Sequence, residues 1–439
     1  MDVYLILTIY FGVLLLLIFA GVQIAFALGI VAIGSLYLGF GPQLAPAIGR
    51  VTWDGLATFV LSAIPLFVFM GTLLFETGLA RRVYSGIYPV LDRLLPGSLL
   101  HSNIVGGAIL AACSGSSMAC CATLGAMAMP EMERRGYDRG IAAGSVAAGG
   151  TLGILIPPSV VLIVYGAMTQ QSVGQLFLGG IIPGILLTLA YMLYIAVRVH
   201  LQPRLAATRD AGVARPSWPQ ALGALLNIWP ILVLIVGVLG SIYAGIATPT
   251  EAAGVGCAIV VVLGLGYRQL TRRIFTRAVG SAVRTSSMLL TIFLGAKLMG
   301  IYLANAGIPA QLARTVAALD LSPTVIFLFV VAFYLVLGMV MDSLAAIVMT
   351  LPVTFPLVTS VGFDPIWYGV TLTMLAEAGL LSPPVGMNLF VLQGLRPNYR
   401  FATIVHGAFP FFLIVVAMIF LMMVFPELIT YLPRAAITR

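Results

Sequence analysis

The sequence predicts an all-α polytopic membrane protein made of two inverted-topology repeats, each with a re-entrant helical hairpin and a Pro-Pro-broken helix. Three observations carry this. The 439 residues are 61% hydrophobic and 8% charged, with mean hydropathy +1.11, too apolar for the mixed surface of a soluble domain. Residues 116 to 160 lie without a gap over residues 342 to 386, so that Pro157-Pro158 falls on Pro383-Pro384, Gly136-Tyr137-Asp138 on Gly362-Phe363-Asp364, Pro130 on Pro356 and Gly153 on Gly379. Matched segments interrupted by prolines in an apolar chain point to a transporter's central site. Finally, nearly all arginines fall on one face once the spans are counted, and that face is expected to be cytoplasmic.

In chain order, single spans of roughly 20 apolar residues are expected near 3–20, 22–40, 54–75, 180–198, 229–247, 250–267, 286–305 and 402–428. Residues 140–170 and 365–395 are long enough to cross, but each is broken by its Pro-Pro pair. The apolar stretches 98–129 and 323–356 are too long for one span and too short for two, and read as hairpins turning at Ser114-Gly115-Ser116-Ser117 and between Gly338 and Ser343. Non-helical backbone at membrane depth is tolerated only inside protein or beside a water-filled cavity. The organisation expected is a first repeat over 1–197, a linker over 198–228 and an inverted second repeat over 229–439. Ten spans, five per half, turn the second repeat upside down. Arg81 to Arg139, Arg198 to Arg284, Arg396 and Arg400 then share one face, while Arg50, Arg314, Arg434 and Arg439 share the other with both termini, which are expected to be periplasmic.

The net charge of +8 is thus a topology signal, and nucleic-acid binding is not expected. Cys113, Cys120, Cys121 and Cys257 sit in apolar or small-residue stretches without disulfide or zinc spacing. His101, His200 and His406 are too dispersed for a metal centre. Met1-Asp2 lacks a basic n-region, so the first apolar run reads as an uncleaved span.

A proline at position i gives no N–H to the carbonyl of residue i−4 and crowds it. Pro157 and Pro158 therefore release the carbonyls of Gly153 and Ile154, and Pro383 and Pro384 those of Gly379 and Leu380. Such carbonyls are costly in a low-dielectric region unless satisfied. A desolvated hard cation takes oxygen ligands, and Ser114, Ser116, Ser117, Thr151, Ser159 and Ser382 add uncharged hydroxyls nearby. Sodium is the natural candidate; a packing kink is the alternative. Small residues at the tips let backbone approach a ligand, and helix N-termini favour anionic substrate oxygens. For Gly144 to Gly150, close helix packing is the simpler account. Asp342 holds the repeat position of Ser116, so it is either part of a second cation site or a solvated tip. Glu251 is expected to cap a helix. Lys297 either pairs with an interior carboxylate or snorkels, and Glu377, two positions before Gly379, is protonated, paired or helix-capping, alternatives the sequence does not separate.

Ser114-Gly115-Ser116-Ser117, Pro130 to Asp138, Gly149-Gly150-Thr151-Leu152-Gly153-Ile154-Leu155-Ile156-Pro157-Pro158-Ser159, Ala247 to Ala253 and Pro383-Pro384-Val385-Gly386-Met387-Asn388-Leu389-Phe390 closely resemble the large membrane subunit of tripartite ATP-independent periplasmic (TRAP) transporters. Ser382 stands where threonine is common, which keeps the hydroxyl, and Cys120-Cys121 replaces the usual small or hydroxyl residues. The resemblance implies a sodium-driven importer of organic acids, with an elevator-type ion-transporter-superfamily fold whose hairpins and broken helices move against a fixed scaffold. It implies Na+ sites at Ser114, Ser116, Gly153, Ile156 and Pro158, and at Gly338, Asp342, Gly379 and Ser382. Substrate contacts are expected from Ser116, Ser117, Thr151, Pro157, Ser159, Pro384 and Asn388. The implied partners are a small four-helix membrane subunit and a soluble periplasmic substrate-binding protein. The alternatives are a stand-alone sodium-coupled dicarboxylate or citrate transporter, an ABC-type permease, and an intramembrane hydrolase using Ser116 or Asp342; no enzyme is expected, because no Ser/Lys or Asp/Asp partner has suitable spacing.

Overall fold

The structure is a computed structural model that describes residues 3–41, 45–206, 216–339 and 341–437; Arg209, Arg215 and Arg439 of the topology argument lie outside them. Every described element is a helix. The chain opens with α1 (Val3–Phe19), α2 (Ile24–Phe40) and α3 (Ala45–Leu56), followed by a 3-10 turn (Phe59–Ser62) that leads into α4 (Ala63–Glu76), then α5 (Leu79–Leu94). The first hairpin is α6 (Ser98–Ser114) and α7 (Ser117–Arg134), and the first broken helix is α8 (Arg139–Leu155) and α9 (Val160–Thr169). Next come α10 (Val173–Leu201), α11 (Trp218–Leu225), α12 (Trp229–Ile235), a π-turn (Val236–Gly240), α13 (Ser241–Tyr243), α14 (Pro249–Gly266), α15 (Arg272–Asn305) and α16 (Ile308–Ala318). The second hairpin is α17 (Pro323–Gly338) and α18 (Ser343–Ser360), the second broken helix α19 (Pro365–Leu381) and α20 (Met387–Leu395), and the chain closes with α21 (Phe401–Val424) and α22 (Glu427–Ile437).

Side-chain caps start the helices around the two breaks. Asp138 accepts from the N–H groups of Gly140 and Ile141 to open α8, and Asp364 from those of Ile366 and Trp367 to open α19. Glu251 closes a capping box with Thr248 at the start of α14, as expected from the sequence.

Several expected boundaries move. The span foreseen over 54–75 is interrupted where Thr58 turns extended, so α4 begins its approach at Phe59. The span foreseen over 286–305 starts at Arg272, capped by Thr271, and its 34 residues reach about 50 Å at ~1.5 Å per residue, longer than the hydrocarbon core. The segment foreseen over 402–428 stops at Val424 because Pro426 cannot continue the helix. The expected linker 198–228 already contains α11, opened by a capping box of Ser217 and Gln220. The hairpin arms run on to Arg134 and Ser360, and the amphipathic helices α5, α16 and α22 were hidden by their polar faces.

Burial is greatest in the first segment of each broken helix. Every residue from Gly140 to Leu155 in α8 and from Ile366 to Leu381 in α19 is buried. Hairpin arms flank each of them, and α21 packs against both. Backbones meet closely where glycines allow it: a Cβ on Gly407 would overlap the Gly140 carbonyl, and one on Gly144 the Gly407 carbonyl. Gly149 and Gly150 face the backbones of Asn103 and Cys121 in the hairpin, so this run of small residues serves packing. A second group, α2, α4, α14 and α15, packs around the outside. It touches the hairpins at Gly71, where a Cβ would come 2.9 Å from the Ser114 Cα, and at Gly300, where one would come 3.5 Å from Pro352.

Candidate ion and substrate site

The first tip is built by three residues in different conformations. Ser114 ends α6, Gly115 turns left-handed (φ 59°), and Ser116 is extended and caps α7 by accepting from the Ala119 N–H. A Cβ on Gly115 would lie 3.0 Å from the Pro158 carbonyl oxygen, and one on Gly153 3.0 Å from the Ser116 carbonyl oxygen. The tip therefore rests directly on the break between α8 and α9. Ser117 Oγ donates to the Thr151 carbonyl (3.1 Å), and Thr151 Oγ1 to the Ala148 carbonyl (2.8 Å). A hydroxyl that gives its proton to a carbonyl keeps its lone pairs for a cation. Ser159 is fully buried and caps α9 through the Leu162 N–H. Ile156 ends α8, its N–H donating to the Leu152 carbonyl.

The second tip repeats this with a charge. Asp342 caps α18 by accepting from the N–H groups of Leu344 and Ala345 (3.2 and 3.4 Å), and Ser343 Oγ donates to the Ala376 carbonyl in α19 (3.0 Å). A Cβ on Gly338 would come 2.8 Å from the Gly379 Cα. Here one sequence expectation needs correction. The Gly379 carbonyl is not left bare by the prolines, because Ser382 folds back and gives it both its N–H (3.3 Å) and its Oγ–H (3.0 Å). Both lone pairs of the Gly379 carbonyl are thereby engaged, whereas the Ser382 hydroxyl, having given its proton, keeps its own. The breaks also differ in access: Pro157 and Pro158 are buried, whereas Pro384 is exposed.

Asn388 does not face an open cavity. Its Nδ2 donates to the Ala147 carbonyl of α8 (3.3 Å), while its backbone carbonyl accepts from the Cys121 thiol of α7 (3.7 Å). The reciprocal contact is Tyr165 of α9, whose hydroxyl donates to the Pro365 carbonyl (2.6 Å) and whose ring meets Phe355 of α18. The far half of each broken helix thus packs on the hairpin of the other half of the chain, joining both tips into one body. Residues that sequence reasoning left unassigned lie inside it. Glu377 is fully buried, with neither carboxyl oxygen partnered among the described residues. Tyr334 joins Thr350 and Thr354 in a hydroxyl cluster between the arms of the second hairpin.

The family model described as "Tripartite ATP-independent periplasmic transporter, DctM component" matches residues 11–428. The chain belongs to the DctM family. Among relatives of this DctM-family chain, the C4-dicarboxylate TRAP transporter large permease protein of Pseudomonas aeruginosa is 34% identical over 91% of the chain and 90% of its own length. The sialic acid TRAP transporter large permease protein of Vibrio cholerae is 30% identical over 95% and 96%. The isethionate TRAP transporter permease protein DctMQ of Oleidesulfovibrio alaskensis is 33% identical over 89% of the chain, which spans only 60% of that relative. In three dimensions the DctM-family chain resembles the Alcanivorax borkumensis YdaH transporter (TM-score 0.60, 16% identity, 85% of each chain) and Neisseria gonorrhoeae MtrF (TM-score 0.56, 13% identity, 88% and 85%). These two likenesses show the fold. With eight helices among the described residues long and apolar enough to cross, this is a multi-pass protein of the inner membrane.

Proposed function

We propose that this chain is the transport subunit of a sodium-coupled importer of organic acid anions, working with a small membrane subunit and a periplasmic substrate-binding protein. One observation carries the reading. Each hairpin tip is set against the break of a buried helix, and there backbone carbonyls, serine hydroxyls and, in one half, a carboxylate gather, with no lysine or arginine among the described residues of the tips and breaks. That donor set fits a hard monovalent cation: Ser114, Ser116, Gly153, Ile156 and Pro158 for one ion, and Gly338, Asp342 and Ser382 for the other, joined by Gly379 when Ser382 turns its hydroxyl from that carbonyl to the ion. Two ions beside the helix N-termini of the tips make the space between them favourable for a carboxylate, reached by Ser116, Ser117, Thr151, Ser159 and the exposed Pro384.

The two tips share one interlocked body that meets its surroundings at Gly71 and Gly300, which supports an elevator movement of this body against the outer helices. The halves are read as inverted repeats with both termini periplasmic. The substrates named for the relatives, C4-dicarboxylate, sialic acid and isethionate, are all organic anions, and the family's tripartite description calls for two further components. A stand-alone sodium-coupled carboxylate transporter is the other reading. Uptake in vesicles with and without added binding protein separates them: the proposal requires both sodium and the binding protein, and uptake without the protein would favour the stand-alone carrier.

A further inference from the structure

The turn from α4 into α5 opens a cleft of about 520 Å³ on the arginine-rich face, lined by Phe75, Glu76, Arg81, Arg82, Ser85 and Gln269 among others. Two of its groups are left unsatisfied. Arg82 Nε, a donor, and Gln269 Oε1, an acceptor, are each buried without a hydrogen-bond partner among the described residues, a costly state unless a ligand completes them. The Arg82 guanidinium lies 3.8 Å from the centroid of the Tyr267 ring, which holds it flat as a fork of donors. Glu76 does not cancel this charge, because Arg277 holds it at 3.2 Å. Gly78, left-handed at φ 71°, opens α5 with no side-chain cap. An anion with a hydrogen-bond donor attached satisfies every one of these groups.

The surroundings say where such an anion comes from. Tyr267 meets Trp229 at 6.4 Å between centroids, and Trp229, Leu226 and Leu232 are 47%, 73% and 51% exposed. Exposed aromatic and aliphatic side chains beside an arginine mark the level of lipid headgroups, and basic clefts between helices on the cytoplasmic side suit anionic ones. We propose that this cleft binds the phosphate of an anionic phospholipid of the cytoplasmic leaflet, with Arg81 and Arg82 on the phosphate, Gln269 accepting from the headgroup hydroxyl, and the acyl chains along the Trp229 surface. The proposal rests on the orientation given above but not on sodium or substrate.

The test follows thermal unfolding of the delipidated full chain in detergent, with short-chain phosphatidylglycerol, short-chain phosphatidylcholine or inorganic phosphate added. A saturable rise in Tm with phosphatidylglycerol alone is expected. The R81Q/R82Q double variant is expected to lose that rise, and Arg314→Gln to keep it. If the double variant does not fold, Arg82→Lys, which keeps the charge but not the stacked fork, is expected to need at least about five-fold more lipid for half the shift. Equal shifts with the two lipids, or a full shift in the arginine variants, would overturn the proposal. A shift with inorganic phosphate equal to that with phosphatidylglycerol would overturn the lipid assignment in favour of a soluble anion. Since no transport is measured, failure here leaves the proposed transport function standing, and the reverse.

Discussion

At Gly338 and Gly379 two backbones touch, and a single methyl group tests whether that contact matters. Gly338→Ala would place a Cβ 2.8 Å from the Gly379 Cα, and overpacking of this kind costs about 1–3 kcal/mol. The expected outcome is a lower Tm together with a higher sodium requirement for uptake, since the tip is pushed off the break. Ser117→Ala removes the bond to the Thr151 carbonyl, worth about 0.5–1.5 kcal/mol, and leaves that carbonyl to its helical partner alone. Its Tm is expected to fall by a comparable, smaller amount. The prolines, glycines and serines of the tips could be read from sequence because each acts on its immediate neighbours along the chain. The return of Ser382 onto Gly379 was less visible, since it depends on how the chain turns after Leu381. The orientation of Asn388 was not visible at all: its partner, Ala147, lies in the other half of the chain and leaves no local pattern.

Among the elements, the broken helices and hairpins were legible because hydropathy and paired prolines both mark them. Helices such as α5 were not. Arg81, Arg82, Asp92, Arg93 and Pro89 make it look like a loop, although Leu79, Val83, Ile87 and Leu91 form its buried stripe. Capping gives a direct test at this scale. Thr248→Ala breaks the box that opens α14 and is expected to cost about 0.5–2 kcal/mol, read as a drop in Tm. The hydrated end of α7 supplies a pH test. Hydrogen bonds from Arg134 and then Arg135 hold the Glu131 carboxyl below its usual range. Its contribution is therefore present above the ordinary carboxylate value and lost as pH falls through the lowered one. Both arginine pairs are solvent-accessible, so the effect is small and screened by salt. The difference in Tm between wild type and Glu131→Gln is expected to shrink on acidification and at high salt.

For the whole molecule, the constant spacing between 116–160 and 342–386 reappears in the helix boundaries, Arg139–Leu155 corresponding to Pro365–Leu381 and Ser117–Arg134 to Ser343–Ser360. In the proposed arrangement the two halves point in opposite directions, as the arginine placement leads one to expect. Arg134 and Ser360 close the second arm of each hairpin, and both are exposed. In intact cells a membrane-impermeant thiol reagent is expected to label Ser360→Cys but to reach Arg134→Cys only after permeabilisation; equal labelling would mean that the repeats are not inverted. The central claim is that sodium bound at the two tips drives uptake. It is tested most directly by the sodium dependence of uptake in proteoliposomes holding this chain, its small subunit and the binding protein, compared with a variant carrying Ser114→Ala, Ser116→Ala and Asp342→Asn together. The account predicts uptake that needs an inward sodium gradient and is lost in the triple variant at any sodium concentration the wild type requires. Unchanged sodium-dependent uptake in that variant, or wild-type uptake without sodium, would contradict it.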